Sequence, residues 1–317
     1  MMRFADIVPS LQALMPHLRG AMTANAPLAG YSWFRTGGPA QVLFEPEDEA
    51  DLALFLSCLP DDIKICVIGL GSNLLVRDGG VEGVVIQLGR GFQDTEVLDN
   101  HRLRVGAGAV DVKVARLAAD HSIDGLSFLR GIPGTIGGAL RMNGGAYGGE
   151  IAQVFESARA LDRRGRLHRV TPAIMDFTYR HSHAPQDWIF TQAVLRGTAG
   201  RKEDILARMN EISSERAATQ PVNTRTGGST FKNPEGAKAW ELVDQAGCRG
   251  LRCGGAQVST LHCNFLVADA GATATDIEAL GEAVRQRVLE RTGVALEWEI
   301  RRIGMADPRV TQSGLVG

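Results

Sequence analysis

Residues 63–76 read IKICVIGLGSNLLV and residues 131–138 read GIPGTIGG. The first stretch is an apolar run that breaks at Gly69 and Gly71, as a buried strand does when it feeds a tight loop. Upstream, QVLFEP reads as a strand. Glu47 and Glu49 ahead of ADLALFLSCL read as the acidic first turn of a helix, where negative charge suits the helix dipole. These pieces predict a β-α-β unit ending near residue 77. In the second stretch Pro133 stands where a helix begins. Successive backbone N–H groups in a glycine turn, with free N–H groups at a helix start, form a cradle for a phosphate or pyrophosphate. The hydroxyls of Ser72 and Thr135 and the amides of Asn73 and Asn143 add neutral donors.

Outward from these loops, a short helix is expected over 3–19, followed by a polar entry, APLAGYSWFRTGGPA. From 78 to about 197 short strands dominate: VEGVVIQL, HRLRVGAG, VFESARALD, RLHRV and DWIFTQAVLRG. DRRG at 162–165 reads as a tight turn between two of them. Helices are expected at VDVKVARLAADH and after Pro133. Residues 197–200 read as a linker, and 202–219 has helical periodicity in Ile205, Leu206, Met209 and Ile212. Strand and helix then alternate through STFKN, AKAWELVDQAG, AQVST, CNFLVAD, a long helix over 275–291 and a closing strand LEWEIRRIG. The predicted division is 1–77, 78–200, 201–305 and a loose tail, 306–317.

Bulk composition narrows the function. The 317 residues exceed one usual core. A net charge of −2 offers no general field for nucleic acid or an anionic membrane, so any bound anion must be held locally. Glycine, at 38 residues, is about 12% against the usual roughly 7%, and it clusters where backbone must turn or approach something closely. The five cysteines lack zinc spacing and read as buried reduced thiols. No signal peptide and no run of about 20 apolar residues is found, so a cytoplasmic protein without membrane insertion is expected. A dinucleotide-binding Rossmann fold is the rival for the glycine loops. Its third glycine is missing after both Gly69-Leu-Gly71 and Gly106-Ala-Gly108.

The motifs GLGSNLLVRD, GIPGTIGGALRMNGGAYGGE, YRHS, GGSTFKNPEG, GGAQVST and LEWEIRRIG occur in the order seen in UDP-N-acetylenolpyruvoylglucosamine reductases, and the chain resembles that family from about residue 31 to 304. The resemblance implies an α+β fold: a two-part FAD-binding module of the vanillyl-alcohol-oxidase type, then an α+β substrate domain. It implies non-covalent FAD, NADPH as co-substrate, and UDP-N-acetylglucosamine enolpyruvate as the compound reduced, with no metal and no obligate protein partner. Its cofactor contacts fall on Gly69, Leu70, Gly71, Ser72, Asn73 and Leu74, on Ile132, Pro133, Gly134, Thr135, Gly137 and Gly138, and on Asn143 and Gly144. Its catalytic positions fall on Arg180, Ser229 and Glu299. Tyr179, Lys232, Asn233, Gln257, His262 and Asn264 are implied for the substrate. Trp298 stands where the family commonly has proline. No aromatic-bearing insertion lies between Arg180 and Ser229, which resembles the shorter subclass without a capping tyrosine loop.

The chemistry explains the trio. Hydride added to the methylene carbon of an enolpyruvyl ether leaves negative charge that the neighbouring carboxylate takes up as an enolate. A cation must hold that carboxylate, and a donor must protonate the adjacent carbon. Arg180 offers a planar cation, Glu299 further support, and Ser229 a positioned proton. Each residue also has an ordinary reading: a surface arginine, a turn serine, a solvent-facing glutamate on an alternating strand. His181 and His183 read as loop residues. His262 and Asn264 share one face and are either core or nucleotide-facing. Two other functions compete: a flavin oxidase of an alcohol or hydroxy acid, and a non-catalytic flavin-binding regulator.

Overall fold

Gly69 ends an edge strand of the first of three main sheets. In this computed structural model, which describes residues 4–310 and 314–316, that sheet runs in the order Ala21–Pro27, Pro39–Glu45, Val81–Gln87, Ile65–Ile68. The first pair is antiparallel and the others are parallel. The expected helix forms at Glu49–Cys58, with Asp48 accepting the Asp51 N–H as its cap. It packs on the sheet through Phe55 stacked on Phe44, with centroids 4.2 Å apart.

Three expectations change here. The N-terminal helix is only Val8–Leu14, and Ala21–Pro27 is a strand. Its residues, AMTANAP, are too weakly apolar to announce a half-exposed edge strand. Val81–Gln87 does not open the second unit but lies between two parallel strands of the first. Val84, Val85 and Ile86 are fully buried, as a central parallel strand requires. The Ile65–Ile68 strand, expected to be buried, has Val67 42% exposed.

The second sheet is antiparallel, ordered Leu167–Val170, Phe155–Leu161, Ile189–Arg196, Arg102–Gly106, Thr95–Leu98. Helices Asp111–Asp120 and Ile136–Met142 cover it. Lys202–Thr219 packs on Asp111–Asp120 and on residues 127–131, and its Ile205 and Met209 enter this core although the helix was expected to begin the third unit. The linker residues Thr198–Ala199 pair with Ile123–Asp124.

The third sheet runs Arg225–Ser229, Phe265–Ala268, Ala256–Val258, Arg252–Cys253, Leu315–Val316. It packs on helices Ala239–Gln245 and Ala274–Thr292. Part of the expected loose tail is therefore a strand, while 311–313 and 317 lie outside the described residues. The closing strand also departs from expectation: Arg301–Ile303 pairs in parallel with Leu74–Val76, directly after the first glycine loop. Arg77 reinforces this joint by binding Glu278 at 2.9 and 2.8 Å, a bidentate geometry. Asp78 accepts the N–H groups of Ala274 and Thr275 at 3.0 and 2.8 Å, so the third unit's long helix is capped from the first unit.

Candidate active site

A cavity of about 1120 Å³ lies where the three units meet. Gly69 through Leu74 line it, with Ile132, Pro133, Gly134, Thr135, Gly137, Gly138 and Gly144 opposite. Gly71 has φ of +67°, and a Cβ there would lie 1.9 Å from the Tyr31 carbonyl oxygen, so only glycine fits. A Cβ on Gly69 would lie 2.7 Å from the Thr135 hydroxyl, so absence of a side chain lets the two loops meet. Among the described residues, the N–H groups of Leu70, Gly71, Ser72 and Asn73 make no hydrogen bond within the chain. Such a run of free donors beside an open cavity suits an anion.

The second loop contributes less than expected. The N–H groups of Ile136 and Gly137 donate to the carbonyls of Ala109 (3.0 Å) and Ala107 (2.8 Å). Two of the helix-start donors are therefore already used within the protein.

Arg180, Ser229 and Glu299, far apart in sequence, line the same cavity. Arg180 Nε donates to Glu299 Oε1 at 2.9 Å, and both side chains are mostly buried. Burial pushes the Glu299 carboxyl upward, opposed by the Arg180 guanidinium and by Lys232. Arg180 has φ of +55°, a left-handed conformation costly for arginine, of the kind that clusters at functional sites. Its guanidinium lies 5.1 Å from the Tyr179 ring centroid. Ser229 ends a strand paired with Phe265, and Glu299 N–H donates to the Thr230 carbonyl at 2.8 Å. Asn73 Nδ2 donates to the Glu299 carbonyl at 3.1 Å, joining the first glycine loop to the acidic segment.

Residues 220–303 match the family described as UDP-N-acetylenolpyruvoylglucosamine reductase, C-terminal domain, and residues 40–171 match the family FAD binding domain. The UDP-N-acetylenolpyruvoylglucosamine reductase of Azorhizobium caulinodans is 64% identical over 95% of this chain and 98% of its own length. That of Parvibaculum lavamentivorans is 59% identical over 97% and 99%. The chain belongs to the UDP-N-acetylenolpyruvoylglucosamine reductase family. A crystal structure of this reductase from Thermus caldophilus aligns with a TM-score of 0.77 at 35% identity, covering 90% of this chain and 99% of that one.

Several residues implied by the reductase motifs stand away from the cavity walls. Asn143 Nδ2 donates to the Thr178 carbonyl and its Oδ1 accepts the Ala152 N–H, each at 3.0 Å, so its amide braces two loops. Asn264 clamps Phe231, accepting its N–H at 3.0 Å and donating to its carbonyl at 2.8 Å. Asn233 Oδ1 accepts the Ala239 N–H, and Gln257 Nε2 donates to the Gly250 carbonyl. Lys232 pairs with Glu297 at 3.2 Å, and Tyr179 is exposed outside the walls. His262 does line the cavity, and burial lowers its basicity. Cys66 also lines it, only partly buried, with its thiol pushed up by burial.

Sequence reasoning missed other lining residues, among them Asp111, Arg141, Arg216, Trp240 and Arg301. Arg141 is brought down to about 10 by burial, while its guanidinium donates to the carbonyls of Ala184, Pro185 and Trp188. A charged residue in the apolar helix IGGALRM was the available signal for Arg141; Arg216, in the polar stretch SSERAATQ, carried none. Asp111 is fully buried behind Gly134, and among the described residues neither carboxyl oxygen has a well-formed hydrogen bond. Burial raises it well above the carboxylate range, against a weak pull from the Gly134 N–H. Such a group binds its proton more tightly folded than unfolded, so its contribution to stability falls as pH rises from the ordinary carboxylate range toward the folded value. Asp111→Asn removes that decline. In urea denaturation, the stability difference between variant and wild type is expected to shift in the variant's favour from about pH 4 to about pH 8. A difference constant across that range would show that Asp111 does not titrate this way.

Proposed function

We propose that the chain uses FAD, with NADPH as donor, to reduce the enolpyruvyl ether of UDP-N-acetylglucosamine to UDP-N-acetylmuramate in peptidoglycan synthesis. The observation that carries the reading is one cavity lined both by the unpaired N–H groups of Leu70 to Asn73 and by Arg180, Ser229 and Glu299. The residues fit the cofactor: the first loop offers free donors to its pyrophosphate, and Val67 and Leu70 expose apolar surface on the cavity wall. When bound, FAD supplies the hydride that adds to the methylene carbon of the enolpyruvyl group.

The chain's residues manage the charge that follows. Arg180 spends Nε on Glu299 and forms no other hydrogen bond among the described residues, so its Nη groups are available to the substrate carboxylate. With its side chain mostly buried, this cation stabilises the enolate more than it could in water. Glu299 fixes the guanidinium. Its raised affinity for a proton also suits it to hydrogen-bond the enolate. Ser229 delivers a proton to the carbon beside the carboxylate. A hydroxyl is a weak acid, but against a strongly basic carbanion its placement matters more than its acidity. Among the six substrate candidates His262 is the one on the cavity wall, and we assign it to the nucleotide sugar. We infer a cytoplasmic reaction from its nucleotide substrates; no helix among the described residues is long and apolar enough to cross a membrane.

The test is anaerobic stopped flow on the flavin-loaded protein after bleaching with NADPH. UDP-N-acetylglucosamine enolpyruvate is expected to restore the yellow colour stoichiometrically, and simple hydroxy acids are expected to have no effect. Restoration by oxygen alone would support an oxidase instead.

A further inference from the structure

Trp298 lies between Glu297 and Glu299 on a short extended segment alongside residues 230–232. Lys232 N–H donates to the Glu297 carbonyl at 2.9 Å, Glu299 N–H donates to the Thr230 carbonyl at 2.8 Å, and Phe231 and Trp298 form an antiparallel bridge. Neighbouring side chains on an extended segment leave on opposite faces, so the indole points away from the face that carries Glu299. It enters a socket in the third unit. A Cβ on Gly281, in the middle of the long helix, would lie 2.2 Å from the indole ring. Glycine is a poor helix former, and here its missing side chain is the space the ring occupies.

Further contacts hold the ring, which is partly buried. Phe231 meets the ring edge-on at 5.4 Å, and the Arg302 guanidinium lies 4.5 Å from its centroid. The indole Nε1–H donates to Glu282 Oε1 at 2.7 Å, and the same oxygen accepts from Arg302 at 2.9 Å. Arg302 also binds Glu278, which Arg77 holds from the first unit. One side chain next to Glu299 is thus fixed by packing, a charged face and a directed hydrogen bond. The backbone bonds to Thr230 and Asn73 set where Glu299 sits. The indole, anchored on the opposite face, adds resistance to twisting of the segment about its axis.

We infer that Trp298 is a positioning residue for Glu299, keeping its carboxylate directed at Arg180. This rests on the reading of Glu299 as a group that meets the substrate. Displacing a reacting group by about 1 Å can cost about 10²-fold in rate. Trp298→Phe keeps a ring but loses the bond to Glu282, and is expected to lower kcat by about 10-fold; Trp298→Ala is expected to lower it by about 10²-fold. In both, KM, flavin affinity and bleaching by NADPH should stay at wild-type values, and the limb of the kcat–pH profile that belongs to Glu299 should move. Gly281→Ala should lower kcat in the wild type but add nothing to Trp298→Ala, where the ring is gone.

The deciding comparison places Trp298→Phe in a Glu299→Gln background. If Trp298 acts through Glu299, the second change adds nothing to an already slow enzyme. If Glu299→Gln is slow and Trp298→Phe still costs its full factor, the positioning role falls while the reading of Glu299 stands. A fully active Glu299→Gln enzyme overturns both.

Discussion

Ser229→Ala is expected to leave bleaching of the flavin by NADPH at the wild-type rate and to slow recolouring by the enolpyruvyl substrate by about 10²–10⁴-fold, the usual worth of a positioned acid. The asymmetry follows from where the hydroxyl sits. Ser229 ends the strand Arg225–Ser229 of the third unit and faces the cavity opposite the glycine loops. On the proposed reading it serves the carbon that must be protonated, not the groove that holds the cofactor. The substitution removes one oxygen from a half-buried position and leaves the pairing with Phe265 in place, so flavin content and melting temperature serve as controls. Equal slowing of both half-reactions would assign Ser229 to the architecture of the site and remove it as the proton donor.

Arg180→Ala is expected to lower kcat/KM for the enolpyruvyl substrate by about 10²–10³-fold through loss of a preorganised charge. It also leaves Glu299 buried without its cation. Burial already raises the Glu299 carboxyl, and the guanidinium is the strongest pull opposing it, so the variant raises it further. A carboxyl raised in the folded state costs stability as pH climbs above its unfolded value. The variant is therefore expected to lose stability more steeply than wild type between about pH 5 and about pH 8, measured by urea denaturation. Arg180→Lys should recover the stability slope in part but little of the rate, because an ammonium lacks the planar fork. Wild-type recolouring kinetics in Arg180→Ala would show that the substrate carboxylate is held elsewhere.

What was legible in the sequence is local. Glycine at 69 and 71 reports a tight turn or close approach, and proline at 133 a fixed φ suited to a helix start, so both loops could be placed without a tertiary structure. The apolar run in VEGVVIQL and the periodicity over 202–219 likewise report which face of an element is apolar. They do not report which neighbour covers that face. Val81–Gln87 and Lys202–Thr219 were therefore recognised as a strand and a helix but expected in the wrong units.

The candidate site divides along the same line. Arg180, Ser229 and Glu299 each had an ordinary reading in the sequence, and resemblance alone linked them. Only the fold brings Arg180 within 2.9 Å of Glu299 across 119 positions of chain. Only the fold shows that the amides of Asn143, Asn233 and Asn264 are engaged with backbone, because a polar side chain near a motif looks the same in sequence whether it faces a ligand or braces a loop. By itself the sequence determined the two glycine loops and the family, since both are written in short contiguous runs. The tertiary structure decided the shared cavity, the raised Glu299 carboxyl and the Trp298 socket, because burial and contact across distant segments arise only when the three units close on one another.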